Sequence, residues 1–474
     1  MWDGRTAQRN YAVLRLIGAM HLLSSKLPLS YATLQHLQRN HGCREGKTRI
    51  QSLEFTGCKG DSAVLVDVRS GDRTDALRVS FDHVTFSDNG QKRGYISGGA
   101  VRVESCFAKS CTRPAVAFRN CRFSRNYGMY GGAISVEDAR LRIEDSVFQN
   151  NEADLSGGAV YAYNQKGSVV RMTDTLFEHN LALADARVHL ANESELLQTP
   201  NQKLATVGMG GAVFAHSPNK FKMLRCTFAQ NKGCRGGGAM RVSHEDLPAM
   251  QNATFVFNVS ESVFENNTAF CNDLNDVFRF SRTRFARLGG AILYESQADI
   301  NSNWTLDRTE LRNNVAWSGG ALSIQSVPLS VAQHRIASCT FEENHAVIAG
   351  GGLVAIRAQV VMLSTTIQKS RALAGAGITL WSASSLFTLP NPLNASRPTI
   401  IENCESIYGA GISADVTSSS LTASALLASL RVFALTRCDG SFELGGAQQL
   451  GLSVWWRLAC LLYPGASRVA RRCI

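Results

Sequence analysis

Two glutamates in this sequence have a spacing that suits the cleavage of sugar polymers. Glu104 and Glu137 each stand four residues after the alanine of a Gly-Gly-Ala motif. If the two motifs stack as neighbouring coils of a parallel sheet, the carboxyl groups lie about 5 Å apart, as in a retaining glycosidase. Arg102 and Asp138 would lie nearby. We favour the competing interpretation, two solvated carboxylates on a polar face, because exposed acids are common.

The other reactive residues favour structural roles. His244-Glu245-Asp246 is a polar cluster that we expect at a loop tip. The thirteen cysteines include no Cys-x-x-Cys pair, so a zinc module is not indicated. The calcium-binding nonapeptide of other β-rolls is also missing, and we expect no metal and no cofactor. In an oxidising compartment two pairs are candidates for disulfides, Cys106 with Cys111 and Cys226 with Cys234, although connectivity cannot be read from sequence.

Both glutamates belong to a repeat that runs through most of the chain. Each copy starts with Phe-x-x-Asn, continues into a Gly-Gly-Ala turn and ends in a short strand of alternating polarity. Small residues precede each Phe by two positions, with Cys121, Cys226 and Cys339 alternating with Ser and Thr. The predicted ladder asparagines are Asn89, Asn126, Asn151, Asn180, Asn231, Asn267, Asn314 and Asn344. The turns start at Gly98, Gly131, Gly157, Gly210, Gly237, Gly289, Gly319 and Gly445.

Each repeated residue has a physical reason in a coiled parallel solenoid. Successive coils lie about 4.8 Å apart, so equivalent residues touch. Repeated Phe would then stack in the interior, and repeated Asn would bond the coils above and below through their amides. Paired Gly would permit a positive φ or a close backbone approach at a tight corner. The sequence therefore predicts an all-β fold, a single parallel β-helix of about ten or more coils.

The repeat also divides the chain. Residues 1–48 lack it and have helical spacing, so we predict a partly helical N-terminal cap or leader. Residues 49–450 form the β-helix and 451–474 a C-terminal cap or tail. Two long gaps between the Asn and the Gly turn locate insertions at 183–207 and 270–288, which we expect to leave the helix at the same corner. Insertions confined to one face of a solenoid often mark its binding face.

Phe-x-x-Asn followed by Gly-Gly-Ala and an aliphatic residue resembles the repeat of the chlamydial polymorphic outer membrane proteins. That family lies within the pectin-lyase-like class of right-handed parallel β-helices, and the resemblance covers roughly residues 80–450. It implies a non-enzymatic, surface-exposed passenger with adhesin-like binding. The same class includes polysaccharide lyases and glycoside hydrolases, so an enzyme using Glu104 and Glu137 is the alternative, although the paired-Asp and Gly-His-Gly signatures of polygalacturonases are missing. A structural spacer within a larger surface protein is the third hypothesis.

Composition adds expectations about partners and location. The formal net charge of +11 favours anionic partners such as acidic polysaccharide without choosing among them. We expect glycans or surface proteins rather than nucleic acid as partners, and a chain that is monomeric or part of a larger one.

The apolar stretch 450–463 is too short for a membrane span, and the expected location is extracellular or at the cell surface, associated with the outer membrane if bacterial. Possible glycosylation sequons start at Asn192, Asn252, Asn258, Asn266, Asn303 and Asn394.

Overall fold

The computed structural model describes most of the repeat region. Its described residues are 47–59, 62–67, 78–92, 97–105, 113–164, 167–183, 208–244, 254–270, 288–296, 302–326, 332–382, 384–389, 399–407 and 409–414, with strand backbones also at 14–16, 21–22, 420–423, 426–428 and 442–444. The strands in these ranges pair in parallel and no helix occurs among them. None of the described residues therefore belongs to a helix that could cross a membrane.

Three long sheets, A, B and C, run the length of the described solenoid, and shorter pieces of a fourth, D, connect C to A. Sheet A contains twelve strands: Leu14–Leu16, Val64–Asp67, Val101–Glu104, Ile134–Glu137, Val160–Tyr163, Val213–His216, Met240–His244, Ile292–Ser296, Leu322–Gln325, Leu353–Ile356, Ile378–Trp381 and Ile412–Ala414. Sheet B contains fourteen: His21–Leu22, Lys47–Gln51, Arg78–Asp82, Ala115–Arg119, Arg140–Glu144, Val169–Thr173, Lys220–Leu224, Phe255–Ser260, Ser302–Asp307, Gln333–Ala337, Gln359–Leu363, Ser385–Leu389, Ser420–Ala423 and Phe442–Leu444.

Sheet C carries the Phe-x-x-Asn motifs. Its twelve strands are Glu54–Thr56, Thr85–Ser87, Arg122–Ser124, Val147–Gln149, Leu176–Glu178, Thr227–Ala229, Val263–Glu265, Glu310–Arg312, Thr340–Glu342, Thr366–Gln368, Thr399–Glu402 and Leu426–Ala428. Sheet D has four strands, Tyr127–Tyr130, Glu152–Ser156, Leu181–Ala182 and Lys232–Gly233, and a separate pair, Val315–Ser318 and His345–Ala349. The prediction of an all-β parallel β-helix is confirmed, with twelve coils in the described strands of sheet C.

The interior is filled by the inward residues of every strand. Phe148 and its equivalents form a stacked column. The ring centroid of Phe148 lies 4.4 Å from that of Phe123 and 4.8 Å from that of Phe177. The rings are within 13° of parallel, so adjacent coils share an aromatic contact in addition to the strand hydrogen bonds. Beside this column, the small-residue position is also buried, as at Ser146 and Cys226.

The asparagines form a continuous ladder along the solenoid. Nδ2 of Asn126 donates to Oδ1 of Asn151 at 3.0 Å, and Nδ2 of Asn151 donates to Oδ1 of Asn180 at 3.0 Å. Asn151 Nδ2 also donates to the Phe123 carbonyl at 3.1 Å, and its Oδ1 accepts the Asn126 backbone N–H at 3.1 Å. Both amide protons and both acceptor sites are therefore used. The same amide-to-amide bond links every consecutive pair from Asn89 to Asn344.

The residue before each ladder Asn has a left-handed backbone. Asp88, Arg125 and Asn150 have φ of 57°, 53° and 56°, and the other coils repeat this geometry. Such a conformation costs a non-glycine residue roughly 1–2 kcal/mol. The sharp corner turns the chain from sheet C into the next strand and brings the Asn amide inward.

The two glycines of each turn have different tasks. Gly157 has a φ of 66°, whereas Gly158 does not have a left-handed φ. A Cβ on Gly158 would lie 2.0 Å from the carbonyl oxygen of Gly211 on the next coil. The first glycine therefore supplies the backbone conformation, and the second permits two coils to approach closely.

Most of the predicted N-terminal cap, residues 1–48, lies outside the described residues, and so does the predicted tail, 451–474. The described pieces of the cap differ from the expected helix, because Leu14–Leu16 and His21–Leu22 are strands. Leu14–Leu16 pairs with Val64–Val66 in sheet A. Pairing with an existing parallel strand outweighs the local helical spacing, since intrinsic propensity is a weak term.

We predict that Asn151→Ala lowers the free energy of unfolding by about 2–4 kcal/mol, because it removes four buried hydrogen bonds and leaves partners unpaired. The matched control is Asn258→Ala, which removes an exposed asparagine in sheet B and should change stability by less than about 0.5 kcal/mol. Denaturant unfolding of both variants measures the difference. Equal destabilisation would contradict a stabilising role of the ladder.

We predict that Gly158→Ala destabilises the protein by more than about 3 kcal/mol, because the methyl group would overlap the backbone of the next coil. Gly57→Ala provides the control. Gly57 has a φ of 69°, but a Cβ added there would meet no atom within 4 Å, so only backbone strain of about 1 kcal/mol is expected. Thermal unfolding followed by circular dichroism compares them, and a larger effect at Gly57 would refute the close-approach argument.

Candidate functional site

The outward residues of sheet A form the candidate site, because they bring together the aromatic and charged side chains that the repeat does not require. Tyr161 and Tyr163 point outward from Val160–Tyr163, and Glu137 is paired in register with Tyr163. Tyr130, from the preceding corner, lies with its ring centroid 4.7 Å from that of Tyr161. We call Tyr130, Tyr161 and Tyr163 the tyrosine patch. All three are partly exposed.

The patch continues along the sheet into a buried aromatic and charged row. Phe214 stacks on Tyr161 with centroids 5.2 Å apart, and His216 stacks on Tyr163 with centroids 4.7 Å apart. On the next coil, the Arg241 guanidinium lies 5.3 Å from the Phe214 ring centre, within cation–π range. Arg241 also pairs with Glu295. The row is therefore anchored by stacking at one end and by an ion pair at the other.

The surroundings of Tyr130 and Tyr161 disfavour ionisation of their hydroxyls. Burial raises the pKa of Tyr130, and the neighbouring Tyr163 raises it further. The pKa of Tyr161 is raised well above its usual value by burial and by Tyr130, Tyr163 and Glu137. These phenols stay protonated at neutral pH and remain able to donate and accept hydrogen bonds.

The structure places Glu104 and Glu137 at adjacent positions but in different environments. The strand ladder pairs Val103 with Val136, the residues that immediately precede the two glutamates. Glu137 is partly exposed. Glu104 is not the solvated carboxylate that we expected, since its side chain is only 4% exposed and forms an ion pair with Arg102. The correction arises because the outer face of sheet A is packed rather than open to water.

Asp138 and His244 are also buried, although the sequence places both of them in polar segments. Asp138 is 4% exposed and has a φ of 47°, so it belongs to the corner between sheets A and B. His244 was expected at a loop tip, but it is fully buried at the end of Met240–His244. Its ring centroid lies 3.7 Å from that of Phe255. Glu245 and Asp246 lie outside the described residues.

Three buried histidines were not recognised from the sequence as a group. His216, His244 and His334 are at most 2% exposed. Burial lowers their pKa values to about 4, about 3 and about 4, with Arg241 contributing at His216 and His216 at His244. Sequence periodicity places them on strands but does not reveal how deeply each ring is buried.

The cysteines in the described residues are of two kinds. Cys121, Cys226 and Cys339 are buried free thiols in the small-residue column. Burial raises their pKa values to about 11, about 12 and about 12, which makes them unreactive. Cys234 is disulfide-bonded. The candidate pair of Cys226 with Cys234 is therefore wrong, because Cys226 faces the interior, where its thiol donates to the Leu224 carbonyl at 3.4 Å. Cys106 and Cys111 lie outside the described residues.

The two insertions start and end at the corner beside the candidate site. Leu183 donates its backbone N–H to Ala153 at 2.8 Å, and Gly208 donates to Leu155, so the first insertion leaves and rejoins sheet D one coil from the patch. Met209 follows the first insertion, and Leu288 ends the second. Both residues form β-bridges to Gly236. Residues 184–207 and 271–287 themselves lie outside the described residues.

Three sequon asparagines fall within the described residues and are exposed: Asn258, Asn266 and Asn303. Asn258 and Asn303 lie on adjacent strands of sheet B, where Asn258 pairs with Thr305. The sequons at Asn192, Asn252 and Asn394 lie outside the described residues. Within the described part of the chain, no group of three or more metal-ligating side chains occurs.

Comparison with known proteins identifies the repeat. Residues 145–163 match the family model of the Chlamydia polymorphic membrane protein repeat. They contain Phe148, Asn151, Gly157 and Gly158, together with Tyr161 and Tyr163 of the patch. The resemblance inferred from the repeat is thus confirmed for these residues. No curated protein and no solved structure was found to match the chain.

We predict that Glu104→Gln destabilises the protein by about 1–3 kcal/mol, because a buried ion pair is broken and Arg102 is left without its carboxylate. Glu137→Gln, on the next coil and partly exposed, should change stability by less than about 0.5 kcal/mol. Urea unfolding at neutral pH compares the two isosteric changes. Similar midpoints would contradict a distinct environment for Glu104.

We predict that stability falls between about pH 6.5 and pH 4, in part through the buried histidines. Their folded-state pKa values lie below the unfolded value, so the unfolded chain binds more protons as the pH falls through this window. His244 faces Phe255, Tyr294 and His216, and His334 faces Tyr294 and Trp304. Each would contribute on the order of 3 kcal/mol at neutral pH.

The histidine contribution can be separated from that of the carboxylates, which also titrate towards pH 4. His244→Phe removes one titrating ring while keeping an aromatic side chain, and it should flatten the pH dependence of the melting temperature above pH 4. His179→Phe changes an exposed histidine and should leave the dependence as in the parent. If both variants show the parent's slope, His244 is not buried in its neutral form.

Proposed function

We propose that this chain is part of a cell-surface or extracellular β-helix protein that binds glycans or surface proteins through the outer face of sheet A. The observation that carries the proposal is the tyrosine patch, with Glu137 beside it and the root of an insertion one coil away. The Phe and Asn columns account for the core, whereas nothing in the repeat requires three tyrosines to gather on the outside.

The chemistry of the patch suits recognition of a partner. Tyrosine offers a large contact area with few rotatable bonds and a hydroxyl that donates and accepts hydrogen bonds. Tyr, Trp and Arg are the residues that most often dominate binding energy at interfaces. Because the rings are packed against Phe214 and His216, little conformational entropy would be lost on binding.

Charge narrows the class of ligand. Glu137 lies beside the patch and is partly exposed, so a polyanion would meet a carboxylate there. Several exposed arginines are also neutralised across coils, as in the pairs Arg125–Asp88 and Arg225–Asp174, each at 2.7 Å. We therefore favour a neutral glycan or a protein surface over acidic polysaccharide, despite the net charge of +11.

The surface location rests on two further observations. The matched repeat is named for a membrane protein of Chlamydia, and this supports a place at the cell surface. The disulfide at Cys234 is the kind of bond that persists in oxidising compartments. Exposed sequons at Asn258 and Asn303 would be available for glycosylation if the protein is secreted by a eukaryote.

We predict that Tyr163→Ala weakens binding to cells or to glycan-array ligands by at least about tenfold, a loss of ~1.4 kcal/mol or more. Arg171→Ala, an exposed change on sheet B, is the control and should bind as the parent does. Removing 184–207, rejoined between Leu183 and Gly208, is a second variant that should keep the β-sheet circular dichroism signal. If Tyr163→Ala and the deletion both bind as well as the parent, the proposed face is not the binding face.

A carbohydrate-active enzyme is the second candidate, favoured by the neighbouring positions of Glu104 and Glu137. In that case Glu137 would be the better general acid or base, because Glu104 is engaged by Arg102. Incubation with pectin, alginate and other uronic polymers tests it. Release of reducing ends by the parent, lost in Glu137→Gln, would favour the enzyme, and no release by the parent would favour the binding protein. A structural spacer remains the third proposal, and it predicts that no ligand is found.

A further inference from the structure

An exposed apolar row runs along the corner at sheet D in the C-terminal half of the described solenoid. It consists of Phe270, Trp317, Val347, Leu373 and Ile407, which we call the apolar stripe. Val347, Leu373 and Ile407 are 41%, 43% and 70% exposed. Among the described residues, they are the large apolar side chains with this much contact with solvent. Phe270 and Trp317 are partly exposed and stack with ring centroids 6.3 Å apart.

The stripe is a single position repeated on five successive coils. Each residue of the stripe lies two positions after a residue that forms a β-bridge to its equivalent on the next coil. On these five coils the bridged residues form one continuous row. That row is Thr268, Val315, His345, Arg371 and Glu405. Because each coil adds about 4.8 Å along the axis, the stripe spans about 19 Å with one apolar side chain per coil.

No role in the core explains this row. Alternate residues on the same strands, such as Ala346 and Ala372, are buried beneath it, so the corner is already packed without the larger side chains. Contiguous exposed apolar surface is unusual in proteins without a partner. The stripe is also distant along the axis from the tyrosine patch, which lies on the coils of residues 130–163.

The spacing of the stripe identifies the partner that fits it. A surface with one apolar side chain per coil is matched in register by another parallel β-helix, because its coils repeat with the same rise of about 4.8 Å. Lipid binding would favour a wider face bordered by free basic residues, whereas Arg371 beside the stripe is paired with Glu405 at 3.1 Å. We propose that the apolar stripe is a self-association surface that binds a second copy of this chain in an antiparallel, two-fold symmetric manner.

Symmetry about the central residue covers the whole stripe. With the two-fold axis at Val347, Trp317 lies opposite Leu373 of the second copy, and Phe270 lies opposite Ile407. The bulky aromatic half then covers the more exposed aliphatic half, as a self-complementary interface requires. In the flanking row, Arg371 would face Val315 and Glu405 would face Thr268, so neither two guanidinium groups nor two carboxylates oppose each other.

The size of the stripe implies a weak dimer. Five side chains are few compared with the roughly 20–30 residues that each partner contributes to a standard stable interface. We therefore expect a dissociation constant on the order of 100 μM for the isolated chain. Such contacts become effective where copies are concentrated on one surface, because a high local concentration takes the place of intrinsic affinity.

Cysteine cross-linking tests the symmetry. Val347→Cys places the thiol at the two-fold axis, where two copies meet, and mild oxidation should give a covalent dimer. Leu373→Cys is the matched control. Its two copies would be separated by two coil rises, about 10 Å, which is too far for a disulfide. Covalent dimer from Val347→Cys, above the level of the parent and of Leu373→Cys, supports the proposal.

Sedimentation velocity from about 1 to about 200 μM measures the association itself. The parent should gain mass with concentration, and Val347→Lys should raise the dissociation constant at least about tenfold. Asn258→Lys adds the same charge on sheet B and should associate as the parent does. A parent that stays monomeric throughout, or equal cross-linking of Val347→Cys and Leu373→Cys, would overturn the proposal.

Discussion

The hydrogen-bonded asparagine ladder is the interaction on which the rest of this solenoid depends. Each interior amide uses both protons and both acceptor sites, binding two neighbouring asparagines and two backbone groups. These bonds hold the left-handed residue that precedes each Asn, as at Asn150 with its φ of 56°. A corner that is strained in isolation becomes stable because the whole column satisfies it.

The ladder also decides where the chain tolerates variation. Its bonds lock the corner between sheets C and D, so extra residues cannot enter between each Phe and its Asn without breaking the column. They enter after it, at Leu183 to Gly208 and Phe270 to Leu288, where sheet D is short or interrupted. The Gly pair then restores the register, because Gly158 and its equivalents fit only at the normal coil spacing. Extra residues also enter between sheets A and B, as between Glu104 and Ala115, whereas only two residues separate Glu137 from Arg140. The ladder therefore excludes insertions from its own corner and leaves the other corners free to vary.

What could be predicted from the sequence follows from this stacking. The Phe, Asn and Gly columns could be recognised because each residue contacts its own equivalents, so the same type recurs. The burial of Glu104 could not, because alternation places it on the outside, and an outward residue is normally solvated. Sheet A has a packed outer face as well, with Phe214, Leu293 and Val354 fully buried. The sequence also could not show that Cys226 is a free thiol whereas Cys234 is disulfide-bonded, because spacing alone does not give connectivity.

A solenoid that repeats its core also repeats its surface, and this links the two proposed interfaces. Any outward position becomes a row along the axis, so a few substitutions on neighbouring coils suffice to create a continuous surface. The tyrosine patch is such a surface on sheet A, at residues 130–163. The apolar stripe is another, at the sheet D corner between residues 270 and 407. Because they lie on different coils, self-association through the stripe would leave the patch accessible. A dimer would then carry two patches, and binding to a surface with many ligand copies would gain from both.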